Sequence, residues 1–446
     1  MVQSILVQDQ EPPPLVVVEG FLGSKDRCYW NNFLKCQYKI KGNLVRRVLF
    51  VRLGSLSSVH DRCCELYYQL KGGTVDFGEE HSLQMGHKRY GRTYPGLYPK
   101  WSDKYPLHIL GHSLGGLTCV RFQRMLADCY FDTATSENWI KSVTTFSTPH
   151  RGSTLPYTIG ASEINPIDVN PFSVGAFLYR FAYIISWFGF QNIDLQLDHW
   201  ELYKYPFWQF LYNLIFRFQF DKGFDNAASD LTLSFCENYN QKYSKEFKST
   251  YYRSYSASMS YKVNQYYYPI LNWSRPFRTI LFSMILGTYS FKAKDKVDEE
   301  WRDNDGVIPV ISQYHPKSCK DQNCIHLKYK KAEKILYQPL FSQIQPGIWY
   351  TIEIEDACHF NVIRSKNKIS KEHQVLLMDI WVYLNQIDTN TKIQKVKKIP
   401  KELKVSFSAF NNIHLLSPLN SGLSPAFYSP LLSPLVNPIV SPISTC

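Results

Sequence analysis

Short apolar runs and longer segments with helical spacing alternate along the chain. The short runs predict buried strands, because β-branched and aliphatic residues follow one another there without a helical period; they are 15–23, which ends in a glycine-rich turn, and 47–53, 107–110, 139–146, 251–257 and 349–354. The segments 62–70, 117–129 and 371–386 have the spacing of helices. Strands that alternate with helices predict an α/β fold with a mostly parallel sheet.

One of these strands leads into a helix through a G-x-S-x-G sequence, Gly111-His112-Ser113-Leu114-Gly115. A strand, a sharp turn and a helix are the setting of a nucleophile elbow, which lifts a serine hydroxyl above the sheet. Glycine suits both ends of that turn, because a Cβ there would collide with the flanking strand and helix. Ser113 is therefore the candidate nucleophile, and the alternative is a chance match in a loop.

Two strongly apolar segments, 171–190 and 205–220, interrupt this alternation and are rich in aromatic residues. The first has the length of a membrane span, but Arg180 in its middle argues against one. A buried helix pair would have the same composition. We expect a mobile, lipid-facing lid, within residues 160–225.

The composition changes again near the C-terminus. Residues 389–404 are rich in lysine, and the chain beyond Leu415 repeats Ser-Pro at Ser417, Ser424, Ser429, Ser433 and Ser441. Proline at this density excludes helices and inner strands. We therefore expect one folded domain over 1–388, followed by a lysine-rich linker and a disordered tail over 389–446.

Charge and cysteine content narrow the class of protein. The formal net charge is +12, but no zinc-finger, RNA-recognition or basic-zipper pattern accompanies it, so we expect no nucleic-acid partner. Attraction to an anionic lipid surface is an alternative to a plain solvated surface. The 11 cysteines are irregularly spaced and odd in number, which argues against a disulfide framework. The N-terminus shows no signal peptide. We expect a reduced, cytoplasmic protein, with membrane or lipid-droplet association left open.

Longer motifs carry a resemblance to a known family. The blocks 73–81 (Gly-Thr-Val-Asp-Phe-Gly-Glu-Glu-His) and 86–97 (Gly-His-Lys-Arg-Tyr-Gly-Arg-Thr-Tyr-Pro-Gly-Leu) are followed in order by 147–152, 195–200, 229–232, 286–289 and 304–307. In these blocks the chain resembles the thermoalkaliphilic, zinc-containing triacylglycerol lipases of thermophilic bacilli. The insertions and the tail suit a eukaryotic relative. The resemblance implies an α/β-hydrolase fold with a helical lid and zinc-bound extra loops.

The hydrolase order places an acid and then a histidine base downstream of Ser113. Asp305, in an Asn-Asp-Gly sequence, matches the acid of the family, with Asp303 and Asp298 as local competitors. His359 matches the base, because it follows a predicted strand and precedes the last helix. The resemblance thus implies a catalytic triad of Ser113, Asp305 and His359.

The same resemblance implies an oxyanion hole. Its donors are the backbone N–H groups of Leu114, after the serine, and of Phe21, in the loop after the first strand. Glu19 stands where the family usually has histidine. A carboxylate beside an oxyanion is unfavourable, so we expect Glu19 to be paired or turned away.

Metal sites are implied as well. The family's structural zinc is held by two aspartates and two histidines, and the matching residues are Asp61, His81, His87 and Asp230. The family's calcium site has a counterpart in Gly287, but Asn361 and Lys366 stand where carboxylates are needed, so we expect calcium to be lost. A further candidate metal set is independent of the family: His315, Cys319, Cys324 and His326.

Together these features favour a lipase that cleaves acylglycerol esters at an oil or membrane interface through an acyl-enzyme intermediate. A phospholipase, galactolipase or acyltransferase would use the same triad. A catalytically inactive protein that binds lipid surfaces is an alternative of another class, and the intact triad argues against it. The sequence leaves the oligomeric state open.

Overall fold

The computed structural model describes residues 11–397, except 22, 24–26, 41–44, 164–168, 171, 189–194, 217–224, 244–245, 273–274, 293–296, 321–322, 330–343, 361 and 364–368. The predicted Ser-Pro tail lies outside the described residues. The strands are β1 (Leu15–Val18), β2 (Val48–Phe50), β3 (Gly73–Asp76), β4 (Tyr90–Tyr94), β5 (Leu107–His112), β6 (Ile140–Phe146), β7 (Tyr251–Ser258), β8 (Ser260–Val263), β9 (Tyr266–Pro269), β10 (Cys324–Tyr329) and β11 (Trp349–Glu355).

The helices surround these strands. They are α1 (Asn31–Cys36), α2 (Val59–Lys71), α3 (Glu79–Met85), α4 (Leu114–Ala127), α5 (Leu155–Thr158), α6 (Val174–Phe188), α7 (Phe207–Phe216), α8 (Ala227–Asp230), α9 (Leu233–Lys242), α10 (Phe277–Gly287), α11 (Val310–Gln313) and α12 (Lys371–Lys397). The last helix continues past residue 388, where we expected the folded domain to end.

A central sheet of seven strands organises the fold, in the order β10-β11-β7-β6-β5-β1-β2. Every neighbouring pair in it is parallel, which confirms the predicted parallel α/β architecture. β5, which leads to the candidate nucleophile, is buried along its whole length, because parallel strands with helices on both faces meet no water. The carboxyl ends of these strands meet at one edge of the sheet.

Side chains alternate between two apolar layers along each strand. Val16 and Val18 belong to the layer that contains residues of α2 and α4. Leu15 and Val17 belong to the opposite layer, which contains Trp381 of α12. The chain therefore has helices on both sides of its sheet, and the sheet itself is rigidly held between them.

Two strands are not among those predicted from the sequence. The segment 72–81 contains β3 and the start of α3, and β3 pairs antiparallel with β4. The segment around Cys324 forms the edge strand β10 of the main sheet and pairs with β11. In both cases backbone hydrogen bonds to the neighbouring strand stabilise the segment.

The two aromatic segments form α6 and α7, which share a small core of their own. Tyr183 and Trp187 of α6 stack on Phe210 of α7, with ring centroids 5.3 Å and 4.2 Å apart. Their outer faces stay exposed, including Phe177 and Trp208. Among the described helices, none combines the length and the apolar character needed to cross a bilayer.

Candidate active site

Ser113 lies at the sharp turn between β5 and α4. Its φ of +57° is in the left-handed region that L-residues rarely occupy, and its N–H donates to the Phe146 carbonyl at 2.8 Å. A Cβ on Gly115 would lie 2.1 Å from the Val18 carbonyl oxygen, and one on Gly111 would lie 2.3 Å from the Gly116 Cα. The predicted need for both glycines is confirmed, and the turn presents the serine at the carboxyl edge of the sheet.

A line of hydrogen bonds connects the three predicted catalytic side chains. His359 Nε2 lies 2.9 Å from Ser113 Oγ, and His359 Nδ1 lies 2.9 Å from Asp305 Oδ2. An ionised carboxylate only accepts, so Nδ1 carries the proton and Nε2 is free to accept from the serine hydroxyl. All three side chains are buried. The arrangement has the roles of nucleophile, base and orienting acid.

Neighbouring groups fix the acid and the base. The other oxygen of Asp305, Oδ1, accepts from the N–H groups of Val307 at 3.0 Å and Ile308 at 2.8 Å. The His359 N–H donates to the Asp305 carbonyl at 2.9 Å. His112 Nε2 lies 2.8 Å from the His359 carbonyl, to which it donates. Backbone and side chain of His359 are therefore both held, so its imidazole is oriented before a substrate arrives.

The two competing acids, Asp303 and Asp298, contact other residues. Asp303 accepts from the hydroxyl groups of Ser258 and Ser260 at 2.6 and 2.8 Å. Asp298 lies 3.3 Å from an Arg302 nitrogen. The structure thus brings Asp305, and neither competitor, to His359.

The predicted oxyanion donors lie on two sides of the serine. Leu114 is the first residue of α4, where helical N–H groups have no partner within the helix. Phe21 follows Gly20, and a Cβ on Gly20 would lie 2.7 Å from the Ser113 Cβ, so the loop after β1 passes against the nucleophile. The indole N–H of Trp30 donates to the Glu19 carboxylate, as expected for a paired Glu19.

A cluster of two histidines and two aspartates lies near α2 and α3, and it contains three of the four predicted zinc ligands. Its members are Asp61, His81, His87 and Asp225, whose candidate ligand atoms all lie within 4.8 Å of one another. Asp230, the predicted fourth ligand, instead accepts from the Val59 N–H and lies 3.5 Å from Arg121. Asp230 ends the one-turn helix α8, which turns its carboxylate away from the histidines.

The donor set of this cluster fits a zinc ion. His81 Nε2 lies 3.3 Å from Asp61 Oδ1 and 3.2 Å from Asp225 Oδ1, and His87 Nε2 lies 3.2 Å from Asp225 Oδ2. None of these buried atoms forms a well-directed hydrogen bond. His87 Nδ1 donates to the Lys88 carbonyl at 2.8 Å, which leaves Nε2 to face the cluster as a ligand. Two imidazoles and two carboxylates are a normal tetrahedral zinc set.

The charges in the cluster shift the pKa values of its members. Burial favours the neutral ring of His81, but its contacts with Asp225 and Asp61 outweigh burial and raise its pKa to about 9. Burial alone would raise the pKa of Asp61, yet His199 and His81 lower it below its usual range. These shifts show that the carboxylates of the cluster favour positive charge on the groups that face them.

The calcium prediction remains a prediction. Gly287 ends α10, and a Cβ there would lie 1.8 Å from the Tyr267 carbonyl oxygen. Asn361 and Lys366 lie outside the described residues.

Comparisons with known proteins identify the family of the chain. A family model described as lipase-like, C-terminal domain, matches residues 11–134 and 128–396. The chain belongs to this lipase-like family. Lipase 2 of Staphylococcus aureus (strain MRSA252) is 32% identical over 338 residues, which are 70% of this chain and 46% of that protein. Lipase 1 of Staphylococcus aureus (strain N315) is 27% identical over 420 residues, 87% of this chain and 56% of that protein. The chain spans about half the length of the curated relatives it matches.

Two solved structures share the fold of this chain. Staphylococcus hyicus lipase superposes with a TM-score of 0.66 at 25% identity, covering 89% of this chain and 100% of that one. EstA from Clostridium botulinum superposes with a TM-score of 0.62 at 25% identity, covering 84% of this chain and 88% of that one. The expected α/β-hydrolase fold is confirmed.

Proposed function

We propose that this member of the lipase-like family is a serine hydrolase of carboxylic esters, acting on lipid esters. The observation that carries the proposal is the hydrogen-bonded line from Ser113 through His359 to Asp305, at 2.9 Å in each step. The names of its staphylococcal relatives, lipase 1 and lipase 2, support the substrate class.

The reaction follows from the roles of these groups. Ser113 Oγ attacks the ester carbonyl while His359 Nε2 takes its proton, and Asp305 stabilises the resulting imidazolium. The N–H groups of Leu114 and Phe21 stabilise the negative oxygen of the tetrahedral intermediate; removing one such donor typically costs about 3–4 kcal/mol of barrier. His359 then protonates the leaving alcohol. Water attacks the acyl-serine in the second half, with His359 again as base.

The exposed aromatic faces of α6 and α7 support a lipid substrate. Phe177, Phe181 and Trp208 are 64, 54 and 75% exposed, although burying such a side chain is favourable by about 1.5–3 kcal/mol. A monomeric soluble protein rarely exposes a continuous apolar patch of this kind without using it. In our proposal these helices form the lid and contact the surface of an oil droplet or membrane.

The cluster of Asp61, His81, His87 and Asp225 would hold a structural zinc ion. It joins α2, the loop around α3 and the segment before α8. Four protein ligands leave no open coordination position, so the ion would stabilise these loops and take no part in ester cleavage.

The proposed activity is tested with a long-chain triacylglycerol emulsion, using the purified protein and Ser113→Ala. We expect the variant to lose at least a thousandfold in kcat and to lose labelling by a fluorophosphonate probe. Equal hydrolysis by both proteins would refute the role of Ser113. Profiling on phospholipid, galactolipid and acylglycerol emulsions then separates a lipase from a phospholipase or galactolipase.

A further inference from the structure

A second group of metal-ligating side chains lies at the edge strand of the sheet, outside the site described above. His315 follows α11, Cys319 lies in the next turn, and Cys324 and His326 are on β10. The four residues are brought together although the chain reverses direction between them, and their candidate ligand atoms lie within 4.8 Å of one another.

The two imidazole rings face each other through nitrogen lone pairs. His315 Nδ1 contacts the Lys317 carbonyl oxygen, which only accepts, so this nitrogen is the donor. Arg151 lies 3.3 Å from the same nitrogen, but it donates to the same carbonyl at 2.6 Å, so both donors share one acceptor. The Nε2 atom of His315 therefore carries no proton.

The same argument holds for the other ring. His326 Nδ1 lies 3.3 Å from Glu353 Oε1, and a carboxylate accepts. In the neutral ring, Nε2 of His326 is then also a lone pair, and the two Nε2 atoms are only 3.1 Å apart. Two neutral rings in these tautomers repel at this distance unless a cation lies between their Nε2 atoms. Outer hydrogen bonds that fix the tautomer in this way are typical of metal-bound histidine.

The distances match a tetrahedral ion. Zn–N bonds of about 2.05 Å and Zn–S bonds of about 2.3 Å place two ligand nitrogens about 3.3 Å apart and a nitrogen and a sulfur about 3.6 Å apart. In the structure the two nitrogens are 3.1 Å apart, and each lies 3.4 Å from Cys319 Sγ. A single ion at bonding distance from all three atoms fits this triangle.

Cys324 supplies the fourth position. The structure joins Cys319 and Cys324 as a disulfide, with Cα atoms 5.9 Å apart. In the reduced chain, two Zn–S bonds would separate the sulfur atoms to about 3.8 Å. Eight further cysteines of the described residues form no disulfide, which argues against a disulfide scaffold.

We propose that His315, Cys319, Cys324 and His326 of the reduced chain bind a zinc ion in a tetrahedral N2S2 site. On binding, the two S–H bonds break, two Zn–S bonds form and two protons leave to solvent. The two thiolates neutralise the ion, which suits a partly buried position near Arg151.

A zinc ion in this site would cross-link the segment between α11 and β10 to the edge of the sheet. α11 lies just beyond Asp305, and Gln313 at its end donates to the Ile308 carbonyl at 3.0 Å. Ser312 of α11 accepts from the Arg151 N–H at 3.0 Å. The ion therefore stabilises the side of the fold that carries the acid of the triad, without touching the triad.

Cobalt(II) substitution of the full chain, purified with its thiols reduced, tests the proposal. Thiolate-to-cobalt charge transfer gives a near-ultraviolet absorption that the sulfur-free cluster around Asp61 cannot produce. We expect this absorption in the wild type, in Asp61→Asn, and in Cys129→Ser, which removes an exposed cysteine elsewhere. It should disappear in Cys319→Ser/Cys324→Ser, and zinc content should fall there by about one ion per chain.

A single substitution distinguishes loss of metal binding from loss of the fold. His326→Ala keeps both thiols, and we expect it to keep the fold by circular dichroism while weakening cobalt affinity at least tenfold. Reduced wild type without the absorption, or an equal absorption in the double serine variant, would overturn the proposal. These readouts are independent of ester hydrolysis.

Discussion

At the scale of single residues, the structure distinguishes Asp305, the proposed acid of the triad, from its neighbour Asp303: only Asp305 lies within hydrogen-bonding distance of His359. Asp305→Asn keeps an acceptor for Val307 and Ile308 but presents an amide to His359 Nδ1, which stabilises the wrong tautomer. We expect kcat to fall about ten-thousandfold, as in the analogous change in a serine protease, with little change in thermal unfolding. The change in kcat is measured by hydrolysis of a soluble short-chain ester.

Asp303→Asn is the matched control for that change. Asp303 accepts from Ser258 and Ser260 and does not contact His359. Its replacement should leave kcat within a few-fold of the wild type. A larger loss for Asp303→Asn than for Asp305→Asn would reverse the assignment.

Asp225 and Asp230 form a second pair of neighbours that the proposed zinc site distinguishes. Asp225→Asn removes one of the two carboxylates proposed to hold zinc, and we expect zinc affinity to fall at least tenfold. Asp230→Asn should keep the metal and instead lower the stability, because Asp230 pairs with Arg121 and caps the Val59 N–H. Metal analysis after dialysis against a weak chelator distinguishes the two. Loss of zinc from Asp230→Asn alone would restore the original prediction.

These residues also show what sequence reasoning can reach. Ser113 lies in a motif that predicts a nucleophile, whereas Asp305 and His359 were predicted from their order in the chain and from the resemblance to a lipase family. Asp225 could not, because it and Asp230 flank the same helical turn and only the path of the chain decides which carboxylate meets His81. The one available signal was Asn226, whose side chain caps α8 at the Ala228 and Ser229 N–H groups and leaves Asp225 outside the helix.

At the scale of elements, the sequence predicted the strands and helices whose own apolar residues form the core. β5 is an apolar run and α4 has apolar residues at helical spacing, and both are buried against the central sheet. β3 and β10 carry polar residues and form strands by pairing with β4 and β11. The candidate metal set that includes Cys324 and His326 could be named from the sequence, but its geometry depends on this strand pairing.

The lid helices lead to a prediction of their own. Phe177→Ser/Phe181→Ser removes two exposed rings from α6 without touching its packed face. We expect hydrolysis of a long-chain emulsion to fall about tenfold or more, since each ring loses about 1.5–3 kcal/mol of apolar burial at the interface. Hydrolysis of a dissolved short-chain ester should stay within about twofold.

Leu83→Ser is the control for the lid. Leu83 is 77% exposed, comparable to Trp208, but it lies on α3. Its replacement should change neither rate. An equal loss on emulsion and dissolved ester in the α6 variant would mean that these rings act on the triad and not on the lipid surface.

At the scale of the whole molecule, one buried ionic group joins distant parts of the chain. Asp388 of α12 lies 3.0 Å from Arg46, 3.3 Å from His108 of β5, and in contact with Lys141 of β6. Burial alone would raise the pKa of Asp388, but His108, Lys141 and Arg46 hold it well below its usual range. The terminal helix is thus connected to the central strands by a carboxylate that stays charged.

His108 makes this connection sensitive to pH. Burial lowers the pKa of His108 from 6.5 to about 4, and its neutral ring contacts Ser142 Oγ at 2.7 Å. Between these two pKa values the unfolded chain binds a proton that the folded chain does not. The stabilisation that neutral His108 contributes is therefore complete above pH 6.5 and is lost as the pH falls toward 4. This one group should lower the free energy of unfolding by about 2 kcal/mol between pH 7 and pH 5. The charge of Asp388 is constant in that window.

His108→Gln isolates the contribution, because glutamine keeps hydrogen-bonding groups but does not titrate there. Urea unfolding of both proteins at pH 7, 6 and 5 gives the difference between their free energies of unfolding. The other histidines are the same in both proteins, so their contributions cancel in this difference. The variant should be less stable at pH 7, and the gap should narrow by about 2 kcal/mol at pH 5. A constant gap would mean that folding leaves the pKa of His108 unchanged, and a gap that widens toward pH 5 would mean that His108 is already protonated in the folded protein. In that case the attraction of Asp388 for His108 would outweigh burial, and α12 would be joined to the sheet by a charged pair instead of a neutral ring.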